Sequence, residues 1–125
     1  MTVDKVVDAS ALAAAVFLES AAADVQRELD GCILHAPVLL RFEMANVGLK
    51  KIRKYPLERE AILAQHDVYR TMAITEHDVD HAEVVLLAER LKLSADDASY
   101  LCLARSLGIE LVTLDDKLNK AAAKI

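Results

Sequence analysis

Short apolar, β-branched runs alternate along this chain with longer segments of helical periodicity. Residues 3–7 read as a strand, and the Ala-rich stretch 9–18 then switches to helix-forming residues. A second helix is predicted over 20–29, with Ser20 as its cap and Gly31 just past its end. Residues 32–35 read as a short buried strand. Pro37 is expected in the first turn of a helix that runs through Leu39, Phe42, Glu43, Asn46 and Leu49 until Pro56 stops it. Another helix is predicted over 57–70, a strand over 72–74, and helices over 78–91 and 94–107, the last stopped by Gly108. Residues 109–113 form the last strand, followed by a terminal helix.

Strands alternating with helices predict an α/β fold, a central parallel sheet covered on both faces, and no repeat or Pro/Gly-rich linker divides residues 1–125 into more than one domain. In such sheets sites form beyond the carboxyl ends of the strands. Asp8 and Asp115 each follow a predicted strand, so the architecture brings them to one edge of the sheet despite their separation in sequence.

Composition narrows the picture. A chain of 125 residues with 54% hydrophobic and 28% charged residues can bury a core without disulfide or metal staples. The N-terminus enters a strand with no basic segment, apolar h-region or cleavage site, and no apolar run is long enough to span a bilayer. Cys32 and Cys102 share no CxxC spacing and read as reduced core thiols, which fits a cytoplasmic protein. The net charge of −5 counts against a nucleic-acid partner unless it is answered locally.

Four carboxylates stand where a core would not ordinarily place them: Asp8 after the first strand, Glu43 inside an apolar helix, Asp97 at a helix start, and Asp115 after the last strand. Capping is the simpler reading of Asp97, which would form a box with Ser94, and of Asp115; for Asp8 the two readings balance. Glu43 is harder to dismiss. Val38, Phe42, Ala45 and Leu49 form one apolar stripe and Leu40, Met44 and Val47 another, so little of that helix is expected to face water. Glu43 shares its own stripe with Leu39, Asn46 and Lys50, and a salt bridge to Lys50 is its structural explanation. Hard cations such as Mg2+ or Mn2+ take oxygen ligands of this kind, and two such ions could activate water and steady a leaving oxygen in phosphodiester cleavage. Metals would reverse the local sign of the site. The basic run Lys50, Lys51, Arg53 and Lys54 supplies a candidate surface for RNA phosphates.

The residues at this point resemble the PIN family, specifically its VapC-like toxin branch, over nearly the whole chain. Val6-Val7-Asp8-Ala9-Ser10 is similar to that family's opening strand and metal-site motif, and Arg41-Phe42-Glu43-Met44-Ala45-Asn46-Val47 to its second acidic motif. The segment from Ser94 to Ala104, with Asp97 directly before Ala-Ser-Tyr-Leu, and Leu111-Val112-Thr113-Leu114-Asp115 resemble the third and fourth. The resemblance implies a PIN-like three-layer α/β/α fold and an acidic quartet of Asp8, Glu43, Asp97 and Asp115. In this reading Asp8, Asp97 and Asp115 anchor Mg2+ or Mn2+, and Glu43 completes the site or positions the attacking water. Ser10 and Thr113 are implied hydroxyl partners, with Asn46 and Asp116 secondary candidates. It also implies a metal-dependent endoribonuclease, a homodimer, and a cognate antitoxin that covers the site. Relatives commonly add a fifth strand after the last helix, so a sheet of four strands, or five, is expected here.

Rival constellations are weaker. His77 and His81 have the spacing of a helical metal pair, but Asp separates them and no third ligand follows, which favours a solvated helix start. His35 and His66 stand alone. A Ser10-based triad lacks the G-x-S-x-G elbow. A receiver-type signalling domain would need an acidic pair after the first strand and an acceptor Asp after a middle one, and neither is present. A catalytically silent PIN-like binding module is the remaining alternative, and four intact acids count against it.

Overall fold

The β-branched run Val3–Val7 forms strand β1, and its last two residues are completely buried. In the computed structural model, which describes residues 2–125, β1 is joined by β2 (Cys32–Pro37), β3 (Ile74–His77) and β4 (Glu110–Val112). All pairings are parallel, in the order β3-β2-β1-β4. The sheet therefore has four strands among the described residues. Helices α1 (Ala9–Val16), α2 (Ala22–Leu29), α3 (Leu40–Lys54) and α4 (Arg59–Arg70) pack against one another. Helices α5 (His81–Leu91), α6 (Ala95–Leu107) and α7 (Asp116–Ala122) cover the sheet's other face, completing the three-layer α/β/α arrangement.

The chain steps outward from β1 to β2 and β3, then crosses back to lay β4 on the free side of β1. The order reverses between β1 and β4, and a crevice opens beyond the strand ends at such a reversal. Register fixes the neighbours there: Val7 pairs with Val112, so Asp8 and Thr113 follow side by side.

Helix α6 anchors the interior. All seven residues from Ala98 to Ala104 are buried, and the helix contributes to both apolar clusters of the core. Tyr100, Leu12, Leu40, Met44, Leu101 and Leu118 are essentially inaccessible, and burying each aliphatic side chain of this size contributes roughly 1.5–3 kcal/mol. Gly108 ends α6 in the left-handed conformation (φ 66°) expected of a glycine at a helix terminus.

Several boundaries differ from expectation. Pro37 does not open a helix. It ends β2 opposite His77, where the missing N–H is harmless because the next backbone amide, Val38 N–H, donates to His77 O at 3.2 Å. Ala21, not Ser20, occupies the N-cap of α2, with no side-chain cap. The third strand lies at Ile74–His77 rather than 72–74, because Met72 belongs to the turn leaving α4. Helix α5 begins at His81 because Asp80 caps it through the amides of Ala82 and Glu83. A short 3-10 turn, Pro56–Glu58, precedes α4. Helix α3 is also less enclosed than its composition suggests: Leu40, Met44 and Gly48 face the core, whereas Phe42 is 71% exposed, and Ala45 and Leu49 are exposed with it. Two apolar stripes on one helix do not say which of them is covered.

Candidate active site

Asp8 leaves β1 and starts α1. Its carboxylate accepts the Ala11 N–H at 3.0 Å, the Ser10 hydroxyl at 2.7 Å, and the Thr113 hydroxyl on its other oxygen. Both hydroxyl protons are thereby committed, so neither can donate across the 3.3 Å contact between Ser10 Oγ and Thr113 Oγ1. Those oxygens act instead as acceptors, Ser10 from Leu114 N–H at 3.0 Å and Thr113 from Asp115 N–H at 3.1 Å. One small network thus ties the end of β1 to the turn after β4. Ser10 and Thr113 both donate to Asp8.

Asp115 caps α7 by accepting the Leu118 N–H at 2.9 Å, and Asn119 donates back to Thr113 O at 3.1 Å, closing that turn. Asp116, the next residue, is exposed and makes no bond to the network. At the opposite wall, Ser94 caps α6 through the Asp97 N–H at 3.1 Å, which leaves the Asp97 carboxylate in the first helical turn. The capping explanations for Asp8 and Asp115 are therefore correct. A cap uses one carboxylate oxygen and leaves acceptor capacity on the group.

Glu43, in the first turn of α3, is half-buried and forms no bond to Lys50; its partner is Tyr100, whose buried hydroxyl donates to it. The expected salt bridge is thus replaced by a contact between residues 57 apart. Tyr100 lies inside the third motif, but nothing in the local sequence marks it as the ligand of Glu43. Asn46 follows one turn further along α3, exposed.

The acids perturb one another. Burial pushes the Asp8 carboxyl upward, its three hydrogen bonds pull it back, and Asp115 adds to the rise. Burial also raises Glu43, opposed by Tyr100 and reinforced by Asp96, Asp8 and Asp97. Asp97 is raised by burial and then by Asp115 and Asp8. The four carboxylates, together with Asp96, therefore share one electrostatic neighbourhood. Burial and the Glu43 carboxylate push the Tyr100 hydroxyl far up, so it remains a donor.

Whether such a set suits a cation depends on which one. Among the described residues no three His, Cys, Asp or Glu side chains converge into a ready-made cage. Every donor gathered here is an oxygen, the ligand type that hard ions such as Mg2+ or Mn2+ take, bound through one or two carboxylates with several waters kept. Mutual repulsion among the acids supplies the charge that a cation would neutralise.

The basic run divides. Lys51 is held by Glu19 at 3.0 Å and lies over the Phe17 ring, and Lys54 lies over Tyr55. Lys50 and Arg53 are exposed. By helical geometry Lys50 and Lys54 continue the stripe of Glu43, with Lys50 ~10 Å along the axis. His81 is exposed and makes no bond to His77. His77 instead bonds to His35 at 2.9 Å, and His35 to Asp4 at 3.0 Å. His35 therefore does not stand alone, contrary to expectation. Only the register of β2 with β3 brings the pair together. His66 Nε2 is buried without a partner.

Comparison with known proteins bears on the family and the fold. A family model described as PIN domain matches residues 5–124. Two solved structures are similar in fold. One is PAE2754 from Pyrobaculum aerophilum, with 26% identity and a TM-score of 0.75, covering 97% of this chain and 87% of the other. The other is VapC20 of Mycobacterium tuberculosis, described as a sarcin-ricin loop cleaving toxin, with 16% identity, a TM-score of 0.67 and 94% of each chain covered. No curated protein matches the chain significantly.

Proposed function

This chain belongs to the PIN domain family, and on that premise we propose that it is a divalent-metal-dependent endoribonuclease, the toxin of a toxin-antitoxin pair. The observation that carries the reading is the gathering of Asp8, Glu43, Asp97 and Asp115 around the β1–β4 reversal, three of them held above ordinary carboxylate values by burial and by one another. The fold shared with a toxin that cleaves the sarcin-ricin loop supports RNA as the substrate.

In this mechanism Asp8, Asp97 and Asp115 would hold the ion or ions, and Ser10 and Thr113 fix the rotamer of Asp8 through its two oxygens. Bound there, Mg2+ or Mn2+ would supply charge neutralisation and an activated water for in-line displacement at an RNA phosphate. Glu43, oriented by the Tyr100 hydroxyl, sits at the same mouth, positioned to accept a proton from the attacking water. Lys50 and Lys54 extend the Glu43 stripe as the phosphate track. Arg53 flanks it, and Lys51, engaged with Glu19, adds little. The free thiols fit a cytoplasmic setting, and among the described residues no helix is long and apolar enough to cross a membrane.

The exposed stripe of Phe42, Ala45 and Leu49 supports pairing with a second copy of the chain, and an antitoxin would cover the acidic mouth. The test is incubation of the purified chain with single-stranded and structured RNA in Mg2+, Mn2+ or chelator, with folded Asp8→Asn as control. Metal-dependent cutting that the variant loses is expected. Undiminished cutting by folded Asp8→Asn overturns the site assignment, and no cutting despite metal binding favours a silent binding module.

A further inference from the structure

A groove of ≈ 300 Å3 lies beside the acidic mouth, between the segment entering α3, the end of β3, and the starts of α5 and α6. Its walls are apolar, built from Val38, Val79, Val84 and Val85. Its polar groups include Asp96, adjacent in sequence to Asp97, and His77 and Asp78 from the end of β3. Leu39, also in the wall, is one helical turn before Glu43. The groove and the acid cluster therefore share two elements.

The histidine is not free to choose its chemistry. The Asp4 carboxylate can only accept, so His35 donates to it through Nε2–H. With neutral rings, His35 Nδ1 is then an acceptor, taking the Nε2–H of His77 at 2.9 Å. His77 is left with a bare Nδ1, another acceptor. Three strands thus cooperate to set the tautomer of one groove residue. Together with the Asp78 and Asp96 carboxylates, this gives the hydrophobic slot an acceptor-rich rim, to which His81 adds an imidazole and Ser99 a hydroxyl already donated to Asp96 O.

We propose that this groove is a nucleobase subsite of the RNA-cleaving centre, selecting a base with an exocyclic amino group next to the scissile phosphate. The apolar walls suit the faces of a base, and an acceptor-rich rim suits the amino groups of guanine, adenine or cytosine. Uracil carries no amino group and offers acceptors on both sides of its single N–H, so it is disfavoured. The proposal rests on the ribonuclease reading given above, and two measurements separate the fates of the two.

The first is a binding measurement that needs no cleavage. The backbone amides of Val84, Val85 and Ala95 are followed by NMR while GMP, AMP, CMP, UMP or inorganic phosphate is added. Shifts with the three amino-bearing nucleotides, on the order of tenfold tighter than with UMP and absent with phosphate, are expected. Absence of shifts at these residues with every nucleotide overturns the subsite, whatever the protein does to RNA, and assigns the groove to protein contact. The second is cleavage of a randomised single-stranded RNA by the wild-type chain, His77→Phe and Val85→Trp. Val85 is 64% exposed, so the Trp fills the slot from its rim without entering the core. Both variants should still cut but lose the base preference beside the cut. A preference unchanged in both overturns the subsite while leaving the nuclease reading intact. If the wild-type chain cuts no RNA yet the nucleotide shifts appear, the groove stands as a base site and the catalytic reading fails.

Discussion

The Thr113 hydroxyl donates to the Asp8 carboxylate across the boundary between β1 and β4, joining residues 105 apart in the chain. The same oxygen accepts the Asp115 N–H at 3.1 Å, so one side chain orients two of the proposed ligands. Thr113→Val keeps the shape and removes both bonds. Mg2+ or Mn2+ affinity, measured calorimetrically, should fall by roughly 10–100-fold with the fold retained, as is typical when the support of a ligand is removed. Thr113→Ser should restore most of it, and equal affinities in all three proteins would refute the orienting role.

Asp8, Glu43 and Asp97 are all held above their ordinary values by burial and neighbouring acids. A carboxyl raised in the folded state contributes stability that is complete below its unfolded pKa, about 4, and is lost as pH rises through the folded value. Metal-free protein should therefore be strained at neutral pH. Relative to wild type, Asp8→Asn should gain stability between pH 4 and pH 7.5 in denaturant melts, and added Mg2+ should stabilise wild type more at pH 7.5 than at pH 5. A variant difference that does not change with pH removes the electrostatic account.

Tyr100 opposes the upward push on Glu43 by donating to it. Tyr100→Phe should let the Glu43 carboxyl rise further, moving the acidic limb of the kcat/KM profile to higher pH. It should also cost about 1–3 kcal/mol by leaving a half-buried carboxylate without its donor. A lowered rate with an unshifted profile would mean that Tyr100 serves packing alone.

Lys50 lies free along the Glu43 stripe, whereas Lys51 is paired with Glu19 and stacked over Phe17. Lys50→Ala with Lys54→Ala should weaken RNA binding and reduce the slope of log K against log salt by ~0.7 for each phosphate that is no longer neutralised. Lys51→Ala should chiefly lower the melting temperature. The reverse pattern would shift the phosphate track to the other side of α3.

Lys92 ends α5 at φ 56°, a left-handed conformation that a side chain disfavours and glycine adopts freely. Lys92→Gly should stabilise the protein by up to about 1 kcal/mol in urea melts, without altering cleavage. A drop in stability would show that the Lys92 side chain holds the helix end by more than its backbone strain costs.

The parts of this molecule written in local pattern were legible from sequence: the β-branched run of β1, the stop of α6 at Gly108, and acids placed after strands and at helix starts. The nearness of Asp8 and Asp115 also followed, because a parallel α/β order sends strand ends to one edge. What local pattern does not contain was missed. Pro37 looks like a helix opener until β3 is seen pairing beside it, and the Phe42 stripe looks internal until Leu40 and Met44 are found facing the core. Tyr100 with Glu43, and His35 with His77, depend on register and helix placement across 57 and 42 residues, distances at which periodicity is silent.

The double employment of the acids has a consequence for how this molecule could change over time. Asp8 and Asp115 each hold a helix start together while also sharing one electrostatic neighbourhood. A descendant that abandoned chemistry would still be under pressure to keep a short polar side chain at both positions, and an acid there serves architecture as readily as turnover. Glu43 caps nothing. Drift at that position would leave both helix starts capped and, on the proposed mechanism, would be felt by the reaction, which makes it the residue whose fate in a lineage would track the proposed chemistry.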